Sequence, residues 1–211
     1  MKILFLSDTH SQHRKLKDLP NADIVIHSGD ISKMGRDHEV EDFMRWFCAL
    51  YNPHKTLIAG NHDFFFENET PKSIKRFLNE NTIYLHNSSV EIEGIKIWGS
   101  PYTPTFFNWA FNLDRGKDIS EVWKNIPIDT DILVTHGPSF GVLDRTISGL
   151  NVGCEELIKK IEEVKPKYHL FGHIHEDYGI FKNGQTTFIN GSVLNERYEL
   201  VNAPIVFDIE K

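Results

Sequence analysis

Short apolar segments that stop at metal-capable side chains are the feature that most constrains how this chain can fold. Five segments of strand length end directly before aspartate, asparagine or histidine, and glycine accompanies four of these junctions. Short continuous apolar runs are typical of strands buried on both faces, and ligand sites of such sheets lie beyond the carboxyl ends of the strands. The five junctions are residues 7–10 (SDTH), 27–30 (HSGD), 60–63 (GNHD), 135–138 (THGP) and 172–175 (GHIH).

The apolar pattern between the junctions predicts helices alternating with strands in the first half and mainly strands near the end. This order indicates an α/β fold in one domain, residues 1–211, with sheet in the middle and helices outside. A Glu93-Gly94 pair between two apolar runs predicts a hairpin. The predicted strands are residues 2–7, 23–27, 56–59, 95–99, 131–135, 168–171, 187–189 and 205–209. The predicted helices are residues 39–51, 71–78 and 154–164.

Composition narrows the class of protein. The 211 residues are 40% hydrophobic, enough for a sizeable core, and the net charge of −7 without a long Lys/Arg cluster disfavours a long nucleic acid partner. Cys48 and Cys154 form no CxxC pair, which argues against disulfides and thiolate metal sites. The first apolar run is shorter than a signal peptide requires, and no run approaches the ~18 residues of a membrane span. We therefore expect a cytoplasmic chain with no membrane partner.

Spacing within the junctions brings pairs of ligands to one side of the backbone. In an extended chain residues i and i+2 point the same way, so Asp8 with His10, and His173 with His175, can each aim two side chains into one cavity. A single metal takes about three or four protein ligands, so seven candidates suit two ions that share a carboxylate. Their oxygen and nitrogen donors favour Mn²⁺, Fe or Zn²⁺. The seven are Asp8, His10, Asp30, Asn61, His136, His173 and His175.

The order of the motifs carries a family resemblance. D-x-H, G-D, G-N-H-D, H-G and G-H-x-H, from Asp8 to His175, resemble the signature of the calcineurin-like metallophosphoesterases. The segments AGNHDFFF, GSPYTPTFFNWAFNLDRG, ILVTHGP, NVGCEEL and FGHIHEDYG are similar to the metallophosphoesterase domain-containing (MPPED-type) phosphodiesterases, which are related to class III cyclic nucleotide phosphodiesterases. Each motif alone is compatible with an ordinary turn, whereas five in order are not. The resemblance implies a four-layer αββα sandwich, in which helices flank two mixed β-sheets.

The resemblance also implies a role for each junction residue. Two divalent metal ions would lie at the strand ends, with Mn²⁺ expected first and Fe, Zn²⁺ or Mg²⁺ as alternatives. His62 would face the substrate rather than a metal. The implied ligands are Asp8, His10 and His175 for the first metal, Asn61, His136 and His173 for the second, and Asp30 as the bridge between them.

These residues predict a phosphodiesterase mechanism. A hydroxide held between the two metals would attack phosphorus in line, and His62 would protonate the leaving oxygen, a role worth ~10²–10⁴ in rate. Asp63 has two interpretations, as a catalytic residue that orients His62 or as a carboxylate that stabilises the turn. Asn61, His62 and Arg145 are predicted to contact the substrate.

The substrate is less constrained than the reaction. Residues 101–112 are rich in aromatics, and either wall a pocket where a base stacks or pack as core or as a subunit contact. We expect a small phosphodiester such as a cyclic nucleotide, and a homodimer is left open. The alternatives are a nuclease on DNA or RNA ends, which the acidic balance disfavours, a phosphomonoesterase or protein phosphatase, and a metal-binding scaffold without catalysis, which would lack a ligand or His62.

Overall fold

The first strand shows why the chain forms layers. In the computed structural model, which describes residues 1–210, strand β1 (Lys2–Leu6) is buried over its last four residues. Ile3 and Phe5 belong to one apolar cluster, whereas Leu4 and Leu6 belong to another. Because side chains of a strand alternate between its faces, β1 carries apolar layers on both sides. A sheet built on such strands has to be covered on both faces.

Thirteen strands, five α-helices and two short 3₁₀ helices form the regular structure of the described residues. The strands after β1 are β2 (Ile24–His27), β3 (His54–Leu57), β4 (Thr82–Tyr84), β5 (Ser88–Ile92), β6 (Ile95–Ser100), β7 (Thr103–Pro104), β8 (Asn112–Leu113), β9 (Ile132–Thr135), β10 (Tyr168–Phe171), β11 (Gly179–Asn183), β12 (Thr186–Asn190) and β13 (Ile205–Asp208). The helices are α1 (Asp37–Cys48), α2 (Phe64–Asn68), α3 (Pro71–Lys75), α4 (Lys117–Trp123) and α5 (Glu155–Val164). None of these helices combines the length and apolar character needed to cross a membrane.

The strands form two large mixed sheets and one small pair. The first sheet has the order β13-β1-β2-β3-β4, in which only β13 is antiparallel to its neighbour. The second has the order β11-β12-β10-β9-β6-β5, in which the four central strands are parallel and both edge strands are antiparallel. Strands β1, β2, β3, β9 and β10 are therefore parallel members of their sheets, and each precedes one of the five junctions.

Three apolar clusters separate four layers and confirm the predicted αββα sandwich. The central cluster lies between the sheets and contains Ile3, Ile26, Ile97 and Val134. Helices α1 to α3 cover the outer face of the first sheet through side chains such as Phe43, Phe47, Phe65 and Ile74. Helices α4 and α5 cover the outer face of the second sheet through side chains such as Ile119, Trp123, Leu157 and Ile161.

The three predicted helices and most predicted strands are confirmed, with shifted ends. The strand predicted at residues 56–59 is β3, which is shifted by two residues because the polar His54 and Lys55 pair with Ile24 and Val25 of β2. The hairpin turns at Glu93 and Gly94, both with left-handed φ. Strands β4, β7, β8 and β11 and helices α2 and α4 were missed, because their apolar patterns are too short or too irregular to indicate a period.

Candidate metal centre and active site

Residues with left-handed φ, together with glycines, let the five junctions approach one another. Asp8, Asp30 and His173 have φ of 55°, 54° and 70°, a conformation that residues other than glycine adopt mainly at functional sites and tight turns. A Cβ on Gly172 would lie 2.0 Å from Asp8 Oδ2, and one on Gly60 would lie 2.2 Å from Asp30 Oδ1. Glycine is required at both positions because a buried aspartate carboxylate occupies the space that a Cβ atom would need.

Asp8, His10 and His175, which we call the first donor group, converge on one point. The Nε2 atom of His175 lies 3.4 Å from Asp8 Oδ1 and 3.4 Å from His10 Nε2. One ligand atom from each residue falls within 4.8 Å of the others, and all three residues are buried. The geometry therefore allows one cation to reach all three side chains.

Asn61, His136 and His173, which we call the second donor group, lie on the other side of Asp30. The Nε2 atom of His136 lies 2.8 Å from Asn61 Oδ1, and the ring centroids of His136 and His173 are 5.0 Å apart. Asp30 Oδ1 lies 3.4 Å from His136 Nε2, while Asp30 Oδ2 lies 3.5 Å from His10 Nε2. The two oxygens of one carboxylate thus face the two donor groups.

Backbone carbonyls fix the orientation of three histidines. The Nδ1 atoms of His10, His136 and His175 lie 3.1, 2.9 and 3.0 Å from carbonyl oxygens. A carbonyl only accepts, so each Nδ1 carries a proton and Nε2 is the ring atom that faces the site, where a neutral ring presents a lone pair. The facing Nε2 atoms of His10 and His175 are both acceptors in that tautomer, which a shared cation satisfies. This arrangement is typical of metal-binding histidines, so the residues fit divalent metal ions.

Electrostatics also favour positive charge at this point. Burial lowers the pKa of His136, but the charge of Asp30 outweighs burial and raises the pKa to about 9. Burial likewise opposes protonation of His175, yet its hydrogen bond with Asp8 raises the pKa to about 9. Burial would raise the pKa of both aspartates, and these histidines hold it below the ordinary value instead. Two buried carboxylates therefore favour positive charge beside them, which either protonated histidines or divalent ions can supply.

His62 lies at the edge of the same cluster. Its Nδ1 donates to the Lys33 carbonyl at 2.7 Å, and its backbone N–H donates to Asp30 Oδ1 at 2.9 Å. Its Nε2 is 4.0 Å from Asp30 Oδ2, and the side chain is 14% exposed. With His10 and Asp30 it forms a third set of possible ligands within 4.8 Å, so distance alone permits a ligand role as well as a substrate-facing one.

Comparison with known proteins decides the family. The sequence model described as Calcineurin-like phosphoesterase matches residues 1–177, which contain all five junctions. The chain belongs to this family. It is accordingly a metal-dependent phosphoesterase, as the order of its motifs predicts.

Relatives of this phosphoesterase cover nearly the whole chain. It is 38% identical over 231 residues to Metallophosphoesterase domain-containing protein 1 of Homo sapiens, covering 99% of this chain and 71% of the relative. It is 36% identical to a UPF0046 protein of Caenorhabditis elegans, covering 99% and 81%. The resemblance to the MPPED-type subgroup is thereby confirmed. The solved structure of Phosphopantetheinyl Hydrolase from Mycobacterium tuberculosis has a TM-score of 0.62 at 14% identity, covering 93% of this chain and 90% of that one, and shows a shared fold.

Asp63 of the phosphoesterase holds the junction backbones together. Its Oδ2 accepts from the N–H of Gly60 at 2.9 Å and of Ile31 at 3.2 Å, and its Oδ1 accepts from the N–H and hydroxyl of Ser32 at 3.0 and 2.6 Å. Burial and the charge of Asp30 raise its pKa to about 6. Within residues 1–210, no hydrogen bond joins this carboxylate to the His62 ring. The contacts favour the turn-stabilising interpretation over direct orientation of His62.

We expect Asp63→Ala to lower the free energy of unfolding by about 2–4 kcal/mol, because four buried donors lose their acceptor and one unsatisfied group costs ~1–3 kcal/mol. Urea denaturation measures this change. Metal affinity should fall as well, because Asp63 holds Ser32 in place and the carbonyl of Ser32 orients His10. Asp144→Ala is the matched control: Asp144 is buried and accepts from Gly141 and Gly153, so its loss should destabilise the fold without weakening metal binding. A variant of Asp63 with unchanged stability would refute the structural role.

The arginine predicted to contact substrate lies elsewhere. Arg145 is exposed and, among the described residues, does not line the cavity beside the donor groups. Arg115 lines that cavity, but its guanidinium pairs with Glu155 and donates to the carbonyls of Val152 and Gly153 at 2.7 Å. The sequence did hold a signal for Arg115, which lies within the segment GSPYTPTFFNWAFNLDRG that carries the MPPED-type resemblance.

A cavity of about 520 Å³ opens beside the donor groups. The aromatic segment divides between the two predicted interpretations: Phe111 is buried in the core, whereas Phe106 and Phe107 are 58% and 75% exposed on the cavity wall. Tyr198, which the sequence analysis missed, lies on the same wall with its ring centroid 4.9 Å from that of His10. The cavity therefore combines a polar floor with an aromatic wall.

Proposed function

We propose that this chain is a dinuclear phosphodiesterase that hydrolyses small diesters such as cyclic nucleotides. The observation that carries the proposal is the position of Asp30 between the donor groups. Its Oδ2 lies 3.5 Å from His10 Nε2 and its Oδ1 lies 3.4 Å from His136 Nε2. A carboxylate that faces two sets of donors matches what two metals with a shared ligand require.

The seven predicted ligands have separate tasks in this proposal. The first donor group would hold one ion, the second would hold the other, and Asp30 would be the ligand that both share. Divalent ions bound here supply Lewis-acid stabilisation of the phosphoryl oxygens and lower the pKa of water to about 7. The chain's part is to keep its donors fixed, which the bonds from histidine Nδ1 to backbone carbonyls achieve. Mn²⁺ is the first ion to test, because all the donors are oxygen or nitrogen.

His62 acts as the general acid in the proposed reaction. Its Nδ1 is engaged by the Lys33 carbonyl, so the free proton carrier is Nε2, which lies on the side of Asp30. A protonated ring can donate from Nε2 to the departing oxygen, which is a poor leaving group without a proton. The side chain is 14% exposed, so solvent can restore the proton after each turnover.

The charge around the cavity favours a diester over a monoester. A diester carries one negative charge, whereas a phosphomonoester carries close to two at pH 7. Arg115, the arginine on the wall, is already paired with Glu155, and Glu176 and Glu196 also line the cavity. These acidic side chains repel a dianion more strongly than a monoanion. They also disfavour a nucleic acid, whose binding depends on many Lys and Arg contacts.

The size and wall of the cavity favour a small substrate with a flat group. Its volume of about 520 Å³ lies within the ~300–1,000 Å³ of small-molecule sites. Exposed aromatics such as Phe106 and Phe107 can stack on a nucleobase, an interaction worth ~1–3 kcal/mol per base. A cyclic nucleotide meets both conditions and presents a monoanionic diester.

Metal removal and return test the proposal. Protein stripped of metal should lose at least ~10³-fold in kcat toward a generic aryl phosphodiester, because Lewis-acid stabilisation contributes several kcal/mol, and Mn²⁺ should restore turnover. The matched monoester measured beside it should be the poorer substrate in kcat/KM. Preference for the monoester would identify a phosphatase. Activity on single-stranded DNA or RNA ends that exceeded activity on cyclic nucleotides would identify a nuclease.

A further inference from the structure

Trp109 lies outside the five junctions but makes a ring contact with one of their residues. Its indole ring stacks on the imidazole of His62, with ring centroids 4.1 Å apart and an interplanar angle of 29°. The ring of His10 lies nearly perpendicular to that of His62, with centroids 4.7 Å apart and an angle of 84°. The proposed general acid is therefore enclosed by two rings as well as by its hydrogen bond.

The segment that carries Trp109 is anchored to the loop that carries His62. The N–H of Ala110 donates to the carbonyl of Asn61 at 3.0 Å, so the residue after Trp109 is bonded to the residue before His62. The N–H of Phe111 donates to a carboxylate oxygen of Glu67 at 2.7 Å. These bonds tie the segment that carries the indole to the loop that carries the imidazole.

We propose that Trp109 is a positioning residue that fixes the plane of the His62 ring. The inference rests on the proposed role of His62 as general acid. The bond from Nδ1 to the Lys33 carbonyl at 2.7 Å restrains one edge of the ring, but a single hydrogen bond tolerates some tilt, and χ2 of histidine is intrinsically broad. Stacking on the indole removes this freedom. Nε2 then keeps one direction toward the cavity, as efficient proton transfer requires.

The main competing role for Trp109 is a platform for the substrate. One face of the indole is already covered by His62, whereas Phe106 and Phe107 stand exposed on the same wall. A platform would act on binding, and its loss would raise KM for every substrate. A positioning residue acts on proton transfer, and its loss slows substrates in proportion to their need for a proton. The two roles therefore differ in their dependence on the leaving group.

The experiment compares two methyl aryl phosphodiesters in the Mn²⁺-loaded protein, one with a 4-nitrophenol leaving group and one with phenol. His62→Ala should lower kcat at least ~10²-fold for the phenyl ester. The loss should be much smaller for the nitrophenyl ester, because 4-nitrophenolate is a good leaving group without a proton. Trp109→Ala should lower kcat about 10–100-fold for the phenyl ester and less than about 3-fold for the nitrophenyl ester, with KM nearly unchanged. In the His62→Ala background Trp109→Ala should add no further leaving-group dependence.

Two matched variants and one binding readout separate positioning from damage to the fold. Phe140→Ala removes an exposed aromatic that, among the described residues, does not line the cavity, so the ratio of the two kcat values should stay that of the parent protein. Trp109→Phe keeps a stackable ring and should restore most of the loss. Elemental analysis should find the parent metal content in Trp109→Ala, and thermal unfolding should remain cooperative.

The outcomes are decisive in each case. Equal loss on both esters in Trp109→Ala, or a rise in KM alone, overturns the positioning role while leaving His62 as general acid. His62→Ala without leaving-group dependence overturns both the acid assignment and the inference about Trp109. Turnover of the nitrophenyl ester by the parent protein reports separately on the phosphodiesterase proposal.

Discussion

Asp30→Ala is expected to bind at most one metal ion and to lose at least ~10³-fold in kcat on an aryl phosphodiester. Asp30 is 2% exposed, and its two oxygens face His10 and His136 at 3.5 and 3.4 Å. Removing it takes the shared ligand from both donor groups and one negative charge from between them. Stabilisation of the phosphoryl oxygens by two ions is worth several kcal/mol, which sets the size of the loss. Elemental analysis and kcat measure the two effects.

Asp30→Asn provides the matched variant because it keeps the shape of the side chain. The backbone N–H of His62 donates to Oδ1 at 2.9 Å, so the amide carbonyl should take this place and remain turned toward His136. The amide NH₂ then faces His10 and can no longer bind a cation. We expect this variant to keep the ion of the second donor group and lose the other. Two ions and full turnover in Asp30→Ala would remove Asp30 from the shared position.

The junction residues could be predicted because adjacent residues in the sequence determine both where a strand ends and which polar side chain follows it. An apolar run followed at once by aspartate or histidine places that side chain at the edge of a sheet, whatever the rest of the chain does. The extended backbone expected at Asp8 and His10 is nevertheless wrong, because these residues have φ of 55° and 38°. The side chains converge through left-handed turns, which the spacing of the letters does not reveal.

Contacts between segments that are distant in the sequence could not be predicted from it. Ser192 donates its hydroxyl to Asp8 Oδ2 at 2.7 Å from 184 positions away, and no periodicity marks it. Tyr198 packs against His10 although it follows the last motif by more than twenty residues. The stacking of Trp109 on His62 depends on how two loops meet. Local pattern determines the strands and their ends, whereas packing between layers determines which loop side chains reach the site.

Gly172→Ala should disable the first donor group although it adds only a methyl group. A Cβ there would lie 2.0 Å from Asp8 Oδ2 and 2.3 Å from Ser7 Oγ, well inside van der Waals contact. Asp8 cannot yield freely, because it is fully buried and its Oδ2 accepts from Ser192 at 2.7 Å. Overpacking of this kind costs ~1–3 kcal/mol. We expect a lower Tm together with loss of the ion held by Asp8, His10 and His175.

Gly137→Ala is the matched control for this prediction, since Gly137 also follows a strand at the site. A Cβ at Gly137 would meet Thr103 Cγ2 at 3.1 Å, a contact that a small shift of one methyl group relieves. It touches no carboxylate, so metal content should remain at the parent level. If Gly172→Ala bound two ions and kept the parent Tm, Asp8 would have to be able to move away from the added methyl group. A rigid position of the Asp8 carboxylate would then not be the reason for glycine at this junction.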